Sequence, residues 1–136
     1  MRKIMTGLAI LILSIILAAG SVIYQERKAL RCDYDGIKII PVYGIDVMIK
    51  DGESMNFCSI HCAREWSLKN RALIKSVMVT DEVTGEMLDA DRAYYVESDV
   101  VTVRAVQNRI HVFREKTDAL SHAGQHNGSI IDNPFN

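Results

Sequence analysis

The sequence predicts a small α+β domain with mainly antiparallel strands, placed after an N-terminal transmembrane helix. Short runs of β-branched and aromatic residues recur along the chain, turn signals rich in glycine and aspartate separate them, and two stretches have helical character. The order strand, strand, helix, strand occurs roughly twice. Two ββαβ-like units are therefore expected, although no residue-level repeat is visible.

The N-terminal segment has the length and composition of a membrane-spanning helix. Residues 4–24 form an uncharged run of 21 positions after a basic start, and about 20 apolar residues span a bilayer. Two interpretations stay open for residues 1–24: a retained transmembrane anchor, or a signal peptide cleaved at the small residues 18–21. Residues 25–31 are a linker. The domain of residues 32–136 is expected to face the periplasm, or another extracytoplasmic side, from the inner membrane.

The first unit begins after a polar link that contains Cys32. Residues 37–43 are rich in isoleucine, valine and tyrosine and predict a strand. Residues 45–50 alternate between apolar and polar side chains, as a half-buried strand does. Asp51-Gly52 is a hairpin turn signal, so residues 53–57 are expected to return as the partner strand.

A helix is expected to follow this hairpin. Ser59 is a favourable N-cap residue, and the helix should end near Asn70. Residues 74–80 predict the next strand, and residues 81–85 the turn after it. The acidic residues of this turn and of the segment behind it are interpreted as solvated; they are Asp81, Glu82, Glu86, Asp89 and Asp91.

The second unit is predicted to contain one helix and several short strands. Residues 86–89 lead into the first of these strands. The strands cover residues 93–96, 100–106, 109–113 and 129–131. The helix covers residues 114–123, and Gly124 is expected to interrupt it.

Composition limits the function classes. The net charge is −1 and no basic run stands out, which argues against nucleic acid as a partner. Hydrophobic residues make up 49% of the chain, as in a folded domain rather than a disordered tail. The chain has three cysteines, and one disulfide would leave a spare thiol. A metal ion shared by all three cysteines resolves this odd count.

Cys58 and Cys62 carry most of the functional information. Residues four apart share one helical face, so both thiols can point at one ligand, and Cys32 would arrive from the upstream link. A helix start is expected to stabilise the thiolates and lower their pKa. Three thiolates suit Cu(I), whereas three thiolates with His61 suit tetrahedral Zn.

Other sulfur and imidazole groups are weaker candidates. Met48 and Met55 flank the hairpin and carry thioethers, but core packing is the commoner role of methionine. His122 and His126 form an H-x3-H pair that can bind Zn or Cu on a continuous helix. The break expected at Gly124 argues against that pair.

The residues alone leave three classes of function open. The first is a metal-binding carrier. The second is an interaction domain stabilised by structural zinc or by a disulfide. The third is a thiol-dependent enzyme with Cys58 as nucleophile and His61 as base, for which the sequence signal is weak because no catalytic motif stands out. We therefore predict that the protein is not an enzyme.

The cysteine region resembles a known metal-binding motif. The run Phe57-Cys58-Ser59-Ile60-His61-Cys62-Ala63 is similar to the C-x3-C end of the TRASH motif, with a spacer of 25 residues after Cys32. Residues 32–131 resemble the NosL family of nitrous-oxide reductase accessory proteins. The matching pieces are Asp51-Gly52 before Phe57, the stretch of residues 88–96, and the ending of residues 119–131 with the strand that contains Phe113. Unlike those proteins, this chain has Asp33-Tyr34-Asp35-Gly36 after its first cysteine, where they carry a second cysteine and a methionine.

The resemblance implies a metallochaperone. It implies an extracytoplasmic protein, tethered to a membrane, that binds Cu(I) through Cys32, Cys58 and Cys62 and delivers it to a metal-accepting partner such as a copper enzyme. His61 remains a candidate fourth ligand, and Zn remains the alternative metal. A general heavy-metal sensor or carrier that is not tied to nitrous-oxide reductase also fits the motif.

Overall fold

The computed structural model describes residues 30–136, and the predicted membrane segment and most of the linker lie outside them. The described chain is a small α+β domain of two antiparallel sheets and two helices. No helix between residues 30 and 136 is long and apolar enough to cross a bilayer. The predicted fold class is confirmed for this part of the chain.

The first sheet has the strand order β2-β1-β3-β4. Its strands are β1 (Ile45–Ile49), β2 (Ser54–Phe57), β3 (Ile74–Thr80) and β4 (Met87–Asp89). The predicted hairpin at Asp51-Gly52 is confirmed, and Gly52 adopts the positive φ of 98° that the turn needs. Val47 lies opposite Met55 on β2 and opposite Val77 on β3, so the three strands share one buried face.

Helix α1 (Ile60–Asn70) connects β2 to β3, as predicted. Ser59 is its N-cap: the side-chain oxygen accepts a hydrogen bond from the Cys62 amide at 3.3 Å. The buried residues of this helix include Ile60, Cys62 and Ala63. Trp66 packs on Phe57, with ring centroids 5.6 Å apart, and this contact seats the helix against the end of β2.

The second sheet has the strand order β6-β5-β7. It comprises β5 (Tyr94–Glu97), β6 (Ile110–Phe113) and β7 (Ser129–Ile131), with helix α2 (Lys116–Gln125) between β6 and β7. Ala119 of α2 is buried against Val96 and Phe113. The order of elements is thus strand, strand, helix, strand in each sheet, with β4 added to the first.

One hydrophobic core serves both sheets. Its largest buried side chains are Tyr95 and Phe57, which come from different sheets. The Tyr95 hydroxyl donates to the Ala90 carbonyl at 2.8 Å, so its polar end is satisfied inside the core. Cys32, Cys58 and Cys62 belong to the same cluster and are between 0% and 3% exposed.

The expectation that Asp81 and Glu82 are solvated is wrong. Asp81 is 2% exposed and accepts hydrogen bonds from Thr84 and from the Arg114 amide. Burial opposes ionisation of Asp81, but these hydrogen bonds outweigh it and hold the pKa below its usual range. The Glu82 carboxylate accepts a hydrogen bond from the Val112 amide, and the Glu82 amide donates one to the Val112 carbonyl. The two carboxylates therefore join the end of β3 to β6.

Two predicted strands are absent from the described chain. Residues 37–43 form a single bridge, Arg31 with Lys38, and then the 3₁₀ turn Pro41–Tyr43, where proline has no amide to donate. Residues 100–106 form a loop organised by the buried Asn108. Its side chain donates to Thr102 and to the Ile110 carbonyl, replacing strand pairing by local bonds.

Two boundaries also differ from expectation. Met87–Asp89 pairs with β3 as a strand of the first sheet instead of leading into β5. Helix α2 continues through Gly124 to Gln125, so the expected interruption is wrong. The cost of one glycine near a helix end is small, about 1 kcal/mol, and the packing of α2 on the second sheet overrides it.

Two glycines should respond oppositely to alanine. A Cβ on Gly128 would lie 2.9 Å from the Glu97 carbonyl oxygen, whereas Gly124 has open space around it. We expect Gly128→Ala to lower the free energy of unfolding by about 1–3 kcal/mol through overpacking. Gly124→Ala, the matched control, should raise it by about 0.5–1 kcal/mol. Urea unfolding measures both free energies. Equal effects of the two substitutions would contradict the close approach of Gly128 to Glu97.

Candidate metal centre

Three cysteines and one aspartate converge at the start of α1. The sulfur atoms of Cys32, Cys58 and Cys62 and a carboxylate oxygen of Asp35 all lie within 4.8 Å of one another. Among residues 30–136, this is the only group of three or more histidine, cysteine or acidic side chains with ligand atoms so close. The structure thus brings together the three cysteines singled out in the sequence.

Cys32 is placed by a tight turn. The Cys32 amide donates to the Ile37 carbonyl, and the Gly36 amide donates back to the Cys32 carbonyl, both at 2.8 Å. Gly36 has a φ of 75°, a conformation that glycine adopts without strain. The Ile37 amide donates to Asp35 Oδ1 at 3.0 Å, so the aspartate side chain also closes the turn.

Asp33 fastens this turn, residues 32–36, to strand β2. The Asp33 amide donates to the Asn56 carbonyl at 2.8 Å, and the Asn56 amide donates to Asp33 Oδ2 at 2.6 Å. Asn56 lies two residues before Cys58. The pair of bonds therefore sets Cys32 beside Cys58 although 25 residues separate them in sequence.

Cys58 and Cys62 come from the junction of β2 and α1. Cys58 follows the last residue of β2, and Cys62 lies in the first turn of the helix, on either side of the Ser59 cap. Their sulfur atoms are 3.6 Å apart, and all three cysteines are free thiols. The Ser59 cap therefore fixes the approach of both sulfurs to one point.

Burial dominates the electrostatics of the two thiols. It raises the pKa of Cys58 to about 12 and that of Cys62 higher still, because a buried thiolate without a cation loses its hydration. The expectation that the helix start lowers these pKa values is wrong: desolvation outweighs the helix dipole. In the metal-free protein both thiols are protonated at neutral pH, and a metal ion must displace their protons to bind.

Asp35 accepts hydrogen bonds from these protonated thiols. Its Oδ2 atom lies 3.1 Å from the Cys62 sulfur and 3.6 Å from the Cys58 sulfur. Partial burial opposes ionisation, but the hydrogen bonds from the Ile37 amide and from the thiols outweigh it and hold the Asp35 pKa below its usual range. An anionic oxygen thus stands at the solvent side of the three sulfurs.

His61 lies outside this group. Its side chain is exposed, and its backbone amide donates to Asn108 Oδ1 at 3.2 Å on the side of the second sheet. Met55 packs against the core, as expected for methionine, whereas Met48 is 40% exposed on the other face of the first sheet.

His122 and His126 form part of a separate stack of histidine rings. The His122 ring lies 4.5 Å from that of His126 and 4.1 Å from that of the buried His111. The two ring nitrogens of His111 face Glu82 Oε2 at 2.9 Å and the Val100 carbonyl at 3.1 Å.

The arrangement of strands and helices is similar to that of a solved protein. The crystal structure of the copper chaperone NosL from Shewanella denitrificans superposes with a TM-score of 0.64 at 20% sequence identity, over 75% of this chain and 85% of that one. The chain has the NosL fold. The family resemblance drawn from the sequence is thereby confirmed for the fold. No protein-family model and no curated protein sequence matches the chain.

Sequence reasoning did not identify Asp35 as a member of the cysteine site. A signal was present, since the Asp35-Gly36 pair, which begins three residues after Cys32, predicts a turn that folds Asp35 back towards the cysteine. The hydrogen bonds between Asp33 and Asn56 had no such signal, because they depend on which edge of the hairpin the turn contacts. The pairing of His111 with Glu82 had none either, because an acidic residue in a turn is usually solvated.

The histidine stack predicts a loss of stability in acid. Burial, together with the charges of His111 and His126, lowers the pKa of His122 to about 4. Between about pH 6.5 and pH 4 the unfolded chain takes up a proton at His122 that the folded chain refuses, so the free energy of unfolding falls as pH falls. Solvent reaches part of this ring, so we expect a loss of about 1 kcal/mol.

The variant His122→Phe should remove this part of the acid dependence and keep the contact with Phe113, which lies 5.2 Å away ring to ring. Urea unfolding at several pH values measures the effect. His61→Gln, which deletes a histidine on the other helix, is the control. An unchanged pH dependence in His122→Phe would show that the stack does not perturb His122.

Proposed function

We propose that this protein is a membrane-anchored, extracytoplasmic accessory protein that binds Cu(I) through Cys32, Cys58 and Cys62 and delivers it to a partner metalloenzyme. The convergence of three buried sulfurs on one point carries the proposal. Thiolate sulfur is soft and binds Cu(I) well at low coordination numbers. The likeness in fold to a copper chaperone supports the same assignment.

Cu(I) is the cargo of such a protein, and the site has features that suit a carrier. Binding exchanges the protons of the thiols for one cation, so uptake releases protons and release takes them back. One of the three ligands, Cys32, sits on a short exposed turn and not on the helix. A ligand on such a turn can leave first when an acceptor thiol or imidazole competes for the ion.

The membrane part of the proposal rests on the sequence. Residues 4–24 are uncharged and long enough to span a bilayer. Leu30, the first described residue, lies on the surface, so an anchor in front of it needs no rearrangement of the domain. We propose that residues 1–24 hold the domain of residues 32–136 at the outer face of the inner membrane.

A structural zinc site is the second candidate. The observation in its favour is the carboxylate of Asp35, since three sulfurs and one oxygen can complete a tetrahedral shell. A thiol-dependent enzyme is disfavoured, because a nucleophilic cysteine needs a lowered pKa and burial raises that of Cys58.

Copper binding should depend on the cysteines. We expect the reduced full-length chain, titrated anaerobically in detergent against a chromogenic Cu(I) chelator, to bind one Cu(I). Cys58→Ser combined with Cys62→Ser should weaken this binding by at least about a hundredfold, because only one soft ligand remains. His61→Ala is the matched control and should bind like the parent chain. Unchanged Cu(I) affinity in the double variant would contradict the proposal.

Membrane anchoring should depend on the N-terminal segment. In cells that export the protein, we expect the full chain to stay in the membrane fraction after an alkaline wash and to be digested by protease added from the outer side. A chain that begins at Gln25 and is fused to a cleavable export signal should be washed off. Recovery of the full chain in the soluble fraction at a shortened mass would show instead that the segment is cleaved.

A further inference from the structure

Asp35 occupies a specific position relative to the sulfur atoms. The sulfurs of Cys58 and Cys62 are 3.6 Å apart, and Asp35 Oδ2 lies 3.6 Å from the first and 3.1 Å from the second. Metal–sulfur bonds of about 2.3 Å and metal–oxygen bonds of about 2.1 Å place tetrahedral ligand atoms about 3.6–3.8 Å apart. The S–S and Cys58–Asp35 distances match this range, and the Cys62–Asp35 distance is about 0.5 Å shorter. All four ligand atoms lie within 4.8 Å of one another, so a small shift of the carboxylate completes a four-coordinate site.

We propose that Asp35 sets the metal selectivity of this site: its carboxylate serves as the fourth ligand of a divalent cation of the zinc class and is not a ligand of Cu(I). This inference rests on the proposed function, because it assumes that the three cysteines hold the metal. It adds a second class of ion and names the residue that distinguishes the two.

The chemistry of the donor atoms supports this division of roles. A carboxylate oxygen is a hard ligand that Zn(II) accepts, whereas Cu(I) is soft and is satisfied by three sulfurs. Charge acts in the same direction. Three thiolates and a carboxylate carry four negative charges, so a monovalent ion leaves more uncompensated charge than a divalent ion, and repulsion then drives the carboxylate away from the thiolates.

The turn that carries Asp35 allows it to leave. Asp35 is exposed although its three sulfur neighbours are buried, so the carboxylate can rotate into water without opening the core. The thiols do not have this freedom, because Cys58 and Cys62 are fixed on either side of the Ser59 cap. Two fixed sulfurs, a third on the turn and one removable hard ligand can thus serve ions of two kinds.

The test is the pair of dissociation constants of the full-length reduced chain, one for Zn(II) and one for Cu(I), each measured with a competing chelator. Asp35→Asn is the main variant, because its amide oxygen can still accept the Ile37 bond while the charged oxygen is lost. We expect the ratio of the Zn(II) constant to the Cu(I) constant to rise at least about tenfold. Asp35→Glu, which keeps a carboxylate, should restore part of the Zn(II) affinity.

Glu53→Gln is the control. It removes one negative charge from an exposed side chain of the β1–β2 hairpin, outside the group of ligand atoms. Co(II), a spectroscopic substitute for Zn(II), gives a second measurement: in Asp35→Asn the d–d bands should change while the thiolate-to-metal charge-transfer bands persist.

Three results would overturn the inference: a selectivity ratio in Asp35→Asn within about threefold of the parent chain, an equal change in Glu53→Gln, or an unaltered Co(II) spectrum in Asp35→Asn. A parent chain that binds no Cu(I) would instead refute the proposed function. The two failures are therefore distinguishable.

Discussion

The whole site depends on one interaction, the double hydrogen bond between Asp33 and Asn56. The two bonds, at 2.8 and 2.6 Å, hold the turn of residues 32–36 against the edge of β2, two residues before Cys58. Without them Cys32 would lie on an unfastened segment, and the site would keep only the two thiols at the helix start. A contact at a sheet edge therefore completes the set of three sulfurs.

Burial and hydrogen bonding then set the chemical state of that set. The thiols lie in the same core that joins the two sheets, so their charge is costly until a cation arrives. The hydrogen bond from the Ile37 amide, together with those from the thiols, outweighs partial burial and stabilises Asp35 in its charged form. Before a metal ion binds, Cys58 and Cys62 are thus protonated beside one anionic carboxylate, and metal uptake is coupled to the release of their protons.

Local patterns in the sequence predicted the regular elements well. The hairpin of β1 and β2 follows from alternation and Asp51-Gly52, and helix α1 from the Ser59 cap. The strands predicted at residues 37–43 and 100–106 are wrong, because the β-branched residues of these segments lie in loops and turns. Pro41 and the side chain of Asn108 replace strand pairing there. These are tertiary effects, and side-chain propensity does not report them.

The site was predictable in its soft ligands and not in its hard one. The C-x3-C spacing at a helix start identifies Cys58 and Cys62. The odd count of cysteines indicates that Cys32 is the third ligand. The raised thiol pKa values and the position of Asp35 depend on burial and on how the turn meets β2. The Asp35-Gly36 turn signal places Asp35 near Cys32, but no short motif encodes the burial or the contact of the turn with β2.

The most direct test is copper K-edge X-ray absorption on the reduced full-length chain loaded anaerobically with one equivalent of Cu(I). If Cys32 joins Cys58 and Cys62 around one ion, the inner shell contains three sulfur atoms at about 2.2–2.3 Å and no oxygen or nitrogen. A shell of two sulfurs, or one that includes lighter atoms, would contradict the convergence of the three cysteines on a single Cu(I).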